Sequence, residues 1–172
     1  NDLPPELLGY LAAQPDITVR NGPGSNFAYL GFNLQDPVTG NASVRQAIAH
    51  AIDREGIIRH LLGGAAQPAA ALLPPGHWAG HPGLQQIKYD PEQTRSLLAA
   101  AGYDDTHPLT LHYKTSNDPV RLRIATVIQQ QLAQAGIDLQ LSSYDWGTFF
   151  GDIKAGRFQM YSLMWVGIKT PD

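Results

Sequence analysis

Three stretches of this sequence combine side chains suited to recognising a small solute. They are Lys114-Thr115-Ser116-Asn117, Tyr144-Asp145-Trp146 and the segment that ends in Trp165. Each follows or closes a strand-like run. In open α/β sheets, ligands lie outside the carboxyl ends of the strands. Parallel strands would therefore bring all three stretches to one edge. Aromatic walls with a few placed polar groups suit a small-molecule cleft. The ligand-binding set read from the sequence is Trp165, Asn33, Tyr113, Lys114 and Trp146. Core packing alone also accounts for an indole, because Trp is usually well buried for its apolar area.

Catalytic and metal chemistry finds weaker support. There is no G-x-S-x-G elbow, H-E-x-x-H pair or phosphate-binding loop. Gly22-Pro23-Gly24-Ser25 lacks a following Lys and reads as a turn. His77 and His81 are four apart, a spacing that puts two imidazoles on one metal when they sit on a helix. Prolines and glycines around them forbid a regular helix, so the pair reads as part of a packed loop. Asp104, Asp105 and His107 fall in a turn between a helix and a strand. Asp118 and Asp145 stand where helix caps are needed. With no cysteine, disulfides, zinc thiolates and a Cys nucleophile are excluded. No enzyme activity, cofactor or metal is expected.

The elements that must position the recognition residues can be read in order. Pro4-Pro5-Glu6 suggests a short helix start, Ile17-Thr18-Val19 a strand and Asn21 to Gly24 a turn. Tyr29 to Leu34 reads as a strand. Ser43 is the expected cap of a helix with Val44, Ala47, Ile48, Ala51 and Ile52 on one face, and Asp53 opens a second helix stopped by Gly63-Gly64. Residues 65–88 lack any period and read as a long ordered loop. Asp90-Pro91 starts a helix that closes at Gly102. Strands are predicted at Leu109–Tyr113, Ile137–Leu141 and Phe158–Trp165. They alternate with helices over Val120–Ala135 and from Asp145 to Gly156. This alternation implies an α/β layer structure with parallel pairings.

At 172 residues the chain is long enough for one domain with a real core. A net charge of −3 and a pI near 6.0 argue against nucleic acid as a partner. No apolar run is long enough to span a bilayer. The start at Asn1 and the stop at Pro171-Asp172 lead us to expect a piece of a longer protein.

Several segments together resemble family-5 extracellular solute-binding proteins, the dipeptide, oligopeptide and nickel type. Tyr29-Leu30-Gly31-Phe32-Asn33 is followed by Val44-Arg45-Gln46-Ala47-Ile48 and Ala51-Ile52-Asp53-Arg54, which resembles the family's "V-R-Q-A-I-x-x-A-I-D-R" signature. Leu73-Pro74-Pro75-Gly76 is similar to its proline loop. Tyr89-Asp90-Pro91-Glu92 through Gly102-Tyr103, Ile128 through Ile137, and Asp145-Trp146 with Phe158-Gln159-Met160 and Trp165 complete the likeness. The resemblance spans about residues 15–172.

The resemblance implies one lobe of a type II periplasmic-binding-protein-like fold, an α/β lobe with a mixed, mostly parallel sheet flanked by helices. It divides the chain into a hinge-proximal segment at 1–30, a distal lobe at 31–166 and a return hinge at 167–172. It implies a substrate-binding component of an ABC importer. The expected partners are a small solute, the membrane permease subunits and the missing proximal lobe of the same chain, in the periplasm or anchored outside the cell. One departure stands out. Peptide-binding members carry an Asp three residues after this Trp, which pairs with the peptide ammonium. Here Ile168 and Lys169 stand there. The alternative is a ligand-sensing domain of a cytoplasmic regulator, which a winged helix ahead of the chain would mark.

Overall fold

The computed structural model describes residues 7–20, 22, 24–73, 77–81 and 83–167. The expectations for Pro4-Pro5-Glu6, most of the Asn21–Gly24 turn, Pro74-Pro75-Gly76 and Ile168-Lys169 fall wholly or partly outside these residues. The elements are α1 (Leu7–Ala12), β1 (Phe27–Phe32), α2 (Ala42–Ala51), α3 (Arg54–Leu61), α4 (Pro91–Ala100), β2 (Leu109–Ser116), α5 (Pro119–Gln134), β3 (Ile137–Tyr144), α6 (Trp146–Lys154) and β4 (Met160–Trp165). The chain divides into two compact units. One comprises residues 1–27, 54–86 and 165–172, the other 28–53 and 87–164.

The second unit is built on a four-stranded sheet ordered β1-β4-β2-β3. β2 pairs in parallel with β3 over eight register positions, from Leu109 with Ile137 to Ser116 with Tyr144. It also pairs in parallel with β4 at Tyr113–Met160 and Lys114–Tyr161. The expected α/β architecture is present. Side chains along a strand alternate between faces. Leu109, Leu111 and Tyr113 therefore share one face with Ile137 and Leu139, and all five are buried. α5 packs along β2 and β3 and contributes the buried Ala125, Ile128 and Leu132. Ile128 and Leu132 each stabilise the fold by about 1.5–3 kcal/mol when fully buried.

A second layer pairs α2 with α4. Val44, Ala47, Ile48 and Ala51 recur at helical spacing and are buried, as are Thr94 and Leu98 of α4. The Thr94 hydroxyl, wholly buried, donates to Asp90 O at 2.9 Å and approaches Ala47 O at 3.3 Å, so its burial leaves no orphaned donor.

Local chemistry sets the boundaries. Asp90, Asp118 and Asp145 each accept from a backbone N–H three residues on and cap α4, α5 and α6. Gly136 ends the α5 turn at φ +83°, where a Cβ would be strained. Four expectations are corrected. Asn41, not Ser43, caps α2, because its Oδ1 accepts from Ser43 N, two residues on, at 2.9 Å. Ile17–Val19 forms no strand, since among the described residues no strand pairs with it in a ladder. β2 and β3 each run three residues past their predicted ends, because continuous parallel pairing carries the polar residues Lys114–Ser116 and Ser142–Tyr144 into the ladder. β4 begins at Met160 rather than Phe158, and Gln159 Oε1 accepts from His112 N where that ladder has not yet started.

Two close fits in the sheet generate stability predictions. The Tyr113 hydroxyl is buried with no hydrogen-bond partner, and burial pushes the phenol up to about 12. The neighbouring Ser162 hydroxyl is engaged with Thr115 at 3.2 Å. Tyr113→Phe removes an unsatisfied group, so its urea midpoint is expected to equal or exceed the parent's, whereas Tyr113→Ala costs about 3–5 kcal/mol. Gly31 sits under the Tyr161 ring, where an added Cβ would meet ring carbons at 2.3–2.4 Å. Gly31→Ala is expected to lower the midpoint, and an unchanged value would show that the ring can move aside freely.

Candidate functional site

The site begins at the ends of the parallel strands. β2 and β3 finish together at the Ser116–Tyr144 pair, and Asn117 N donates to Tyr144 O at 2.9 Å, which holds the two ends side by side. Asp145 then turns the chain into α6, its Oδ1 accepting from Thr148 N at 3.1 Å. That turn places Trp146 at the first position of α6. Its indole is 55% exposed and lies parallel to Phe150 at 5.2 Å, while Phe149 beneath is wholly buried. The result is an open aromatic platform beside the polar ends of two strands.

Strand alternation sorts the other residues. Tyr113 and Lys114 are neighbours in sequence but lie on opposite faces of β2. Tyr113 is sealed among the core residues. Lys114, on the other face, ion-pairs with Asp152 Oδ2 of α6 at 2.7 Å, and its Nζ stands 5.4 Å from the Tyr144 ring centre. Arg157 Nε donates to the other Asp152 oxygen at 2.8 Å. The Lys114 and Arg157 hydrogen bonds hold the Asp152 carboxyl below its ordinary range. Tyr161, the register partner of Lys114, packs edge-on against Tyr29 and Phe158. Burial, with Tyr161 alongside, pushes the Tyr29 phenol up to about 12.

Asn33 is a brace. Its Nδ2 donates to Phe158 O at 3.1 Å and Gly156 O at 3.4 Å, its Oδ1 accepts from Gln35 N, and its own N–H reaches Gln159 O. Gln159 Nε2 bonds Asp36 Oδ2 at 3.0 Å. Burial alone would raise the Asp36 carboxyl, but bonds from Thr39, Gln159 and Val38 outweigh it and hold the carboxyl low. Trp165 closes β4, 58% exposed, and belongs to the other unit. Among the described residues, the five sequence-chosen side chains make no hydrogen bond or ring contact with one another.

Sequence reasoning singled out Tyr144 but missed Asp152 and Tyr161. Asp152 lies 38 residues from Lys114, and only strand register reveals Tyr161 beside it. No local signal marks either.

The remaining candidates take structural roles. His77 and His81 each accept a backbone N–H two residues on, from Ala79 and Gly83. Asp104 accepts from Thr106 N, Thr106 Oγ1 and His107 N, bonds that hold its carboxyl low. Among the described residues no group of three His, Cys, Asp or Glu side chains is placed to hold a metal ion. None of the described helices is long and apolar enough to cross a membrane.

The sequence profile of bacterial extracellular solute-binding proteins, family 5 Middle, matches residues 1–172. The dipeptide-binding protein of Escherichia coli K12 is 29% identical over 166 residues, covering 95% of this chain and 31% of that protein. Heme-binding protein A of Haemophilus influenzae is 29% identical over 93% of this chain and 30% of its own length. Among solved structures, the periplasmic binding protein DppA of Helicobacter pylori, in complex with peptide STSA, superposes with a TM-score of 0.85. It is 28% identical, over 97% of this chain and 32% of that one. The chain thus spans about a third of the length of the curated relatives it matches.

The ion pair generates a pH prediction. Because the folded-state pKa of Asp152 is depressed, its contribution to stability is present at neutral pH. It is lost as pH falls through the folded value, below the usual carboxylate range. The stability gap between parent and Asp152→Asn is expected to stay constant above that range and to close below it. Carbon-13 NMR titration of the carboxyl checks the same point, and an ordinary midpoint would contradict it.

Proposed function

The chain belongs to the bacterial extracellular solute-binding proteins of family 5, and from that premise we propose that it is one lobe of the solute receptor of an ABC importer. The intact protein works outside the cytoplasm, captures a small solute between this lobe and the rest of the chain, and presents it to membrane permease subunits. It binds its solute without converting it. Domain closure about hinge segments encloses the ligand, and such sites cover on the order of 70–90% of a ligand's surface. Residues 31–166 form the capturing lobe, with hinge segments at 1–30 and 167–172.

The observation that carries this reading is the shared end of β2 and β3, with the exposed Trp146 platform directly after it. Trp146 and Trp165 are proposed to touch the solute. Lys114, Asn33 and Tyr113 serve the site from behind, fixing α6, the β4 approach and the sheet. Support for a solute other than a free-amine peptide comes from the sequence: Ile168 replaces the expected carboxylate and Lys169 follows it. An isoleucine offers no charge to an ammonium, and leaving that charge buried and unpaired costs several kcal/mol.

Calorimetry on the intact protein tests both parts. Trp146→Ala and Trp165→Ala are each expected to weaken solute binding at least severalfold, while a free dipeptide and its N-acetylated form bind equally weakly. Undiminished affinity in both variants would refute the proposed contacts. Tight binding that depends on the free amine would refute the ligand reading.

A further inference from the structure

A pocket of about 170 Å³ opens where α2, α4 and α5 meet. Every residue lining it belongs to the sheet unit. Its place follows from the parallel crossover. α5 links the end of β2 to the start of β3, so it runs antiparallel to both. Gln131 and Ala135 of the pocket therefore lie at the amino end of the sheet, where Gln129 Nε2 also reaches Leu139 O of β3. The 16 residues of α5 span about 24 Å and separate the pocket from the Ser116–Tyr144 edge.

The lining has two parts. Ala51, Pro91 and Ala135 supply an apolar wall. Arg95 and Gln131 supply donors. Among the described residues no ion pair or hydrogen bond engages the Arg95 guanidinium, which carries donors only. Gln131 is oriented by its neighbour. A backbone N–H can only donate, so the bond from Asp53 N at 3.1 Å makes Oε1 the acceptor. The Gln131 amino group is left as a donor without a partner. No Asp or Glu lines the pocket, and Asp90, next to Pro91, directs its carboxylate to Gln93 N.

Unmatched donors beside an apolar wall call for a ligand that brings acceptors. A carboxylate suits a guanidinium best, because its two oxygens take two parallel bonds. The volume limits its size. Sites for drug-sized ligands run to about 300–1,000 Å³, whereas a cavity of about 150 Å³ holds one benzene. We propose that this pocket is a second binding site, for a small carboxylate with a short apolar body. Arg95 and the Gln131 amino group take its oxygens, and Ala51, Pro91 and Ala135 take its chain. The site is separate from solute capture and does not rest on that reading.

Saturation-transfer NMR on the intact protein tests the site, with butyrate as the probe. Butyrate is expected to bind saturably and severalfold more tightly than butyramide, its neutral counterpart. Arg95→Gln and Gln131→Glu are each expected to weaken butyrate binding severalfold. Gln131→Glu keeps an oxygen for Asp53 N and replaces the donor with a second acceptor. Arg95 is exposed, so Arg95→Gln leaves the fold intact and decides the outcome by itself. Trp146→Ala is expected to leave butyrate binding unchanged. Absence of saturable binding, equal binding of butyramide, or full affinity in Arg95→Gln overturns the proposal. Loss of butyrate binding in Trp146→Ala also overturns it, by assigning the butyrate to the solute site.

Discussion

The parallel pairing of β2 with β3 is the constraint on which everything else depends. Eight consecutive register pairs fix which residues of each strand share a face. α5 buries one face through Ile128 and Leu132, and a one-residue slip would turn Leu109, Leu111 and Tyr113 outward. The same register brings both strands to an end at Ser116 and Tyr144, which sets where Asp145 turns the chain and where Trp146 emerges. Lys114 is positioned by the same rule. It faces away from the α5 layer and meets Asp152, so that the ion pair ties α6 to the sheet.

The family signature reads differently once the structure is known. Val44, Ala47, Ile48 and Ala51 form the buried stripe of α2. Arg45 donates to the Thr39 and Gly40 carbonyls and secures the entry to that helix. Asp90 and Pro91 start α4, and Gln131 accepts from Asp53 N at 3.1 Å. These residues hold the structure together through packing, capping and backbone hydrogen bonds. A shared scaffold of this kind accommodates relatives named for dipeptide and for heme alike, because fold and ligand choice reside in different residues.

Much of the fold was legible from the sequence because its signals are local. Helix caps at Asp90, Asp118 and Asp145, the stop at Gly136 and the alternation through Leu109–Tyr113 each depend on a few neighbouring residues. What escaped was non-local. The polar extensions of β2 and β3 carry no hydrophobic pattern and become strand only by pairing with each other. Ile17–Val19 has β-branched residues yet, among the described residues, no strand to pair with, which propensity alone does not supply. For the candidate site, the place of Trp146 just past a strand end was legible, because position in the sequence and position in the sheet coincide there. The pairing of Lys114 with Asp152 and the burial of Tyr113 required the third dimension.

The central claim is that this lobe meets its solute at the carboxyl ends of its parallel strands, under cover of the rest of the chain. A crystal structure of the intact protein with its copurified solute tests it most directly. The account predicts solute density against Trp146 and Trp165, enclosed on the far side by residues outside this chain. Density held entirely by the rest of the protein, or buried in a sealed pocket within this lobe, would contradict it.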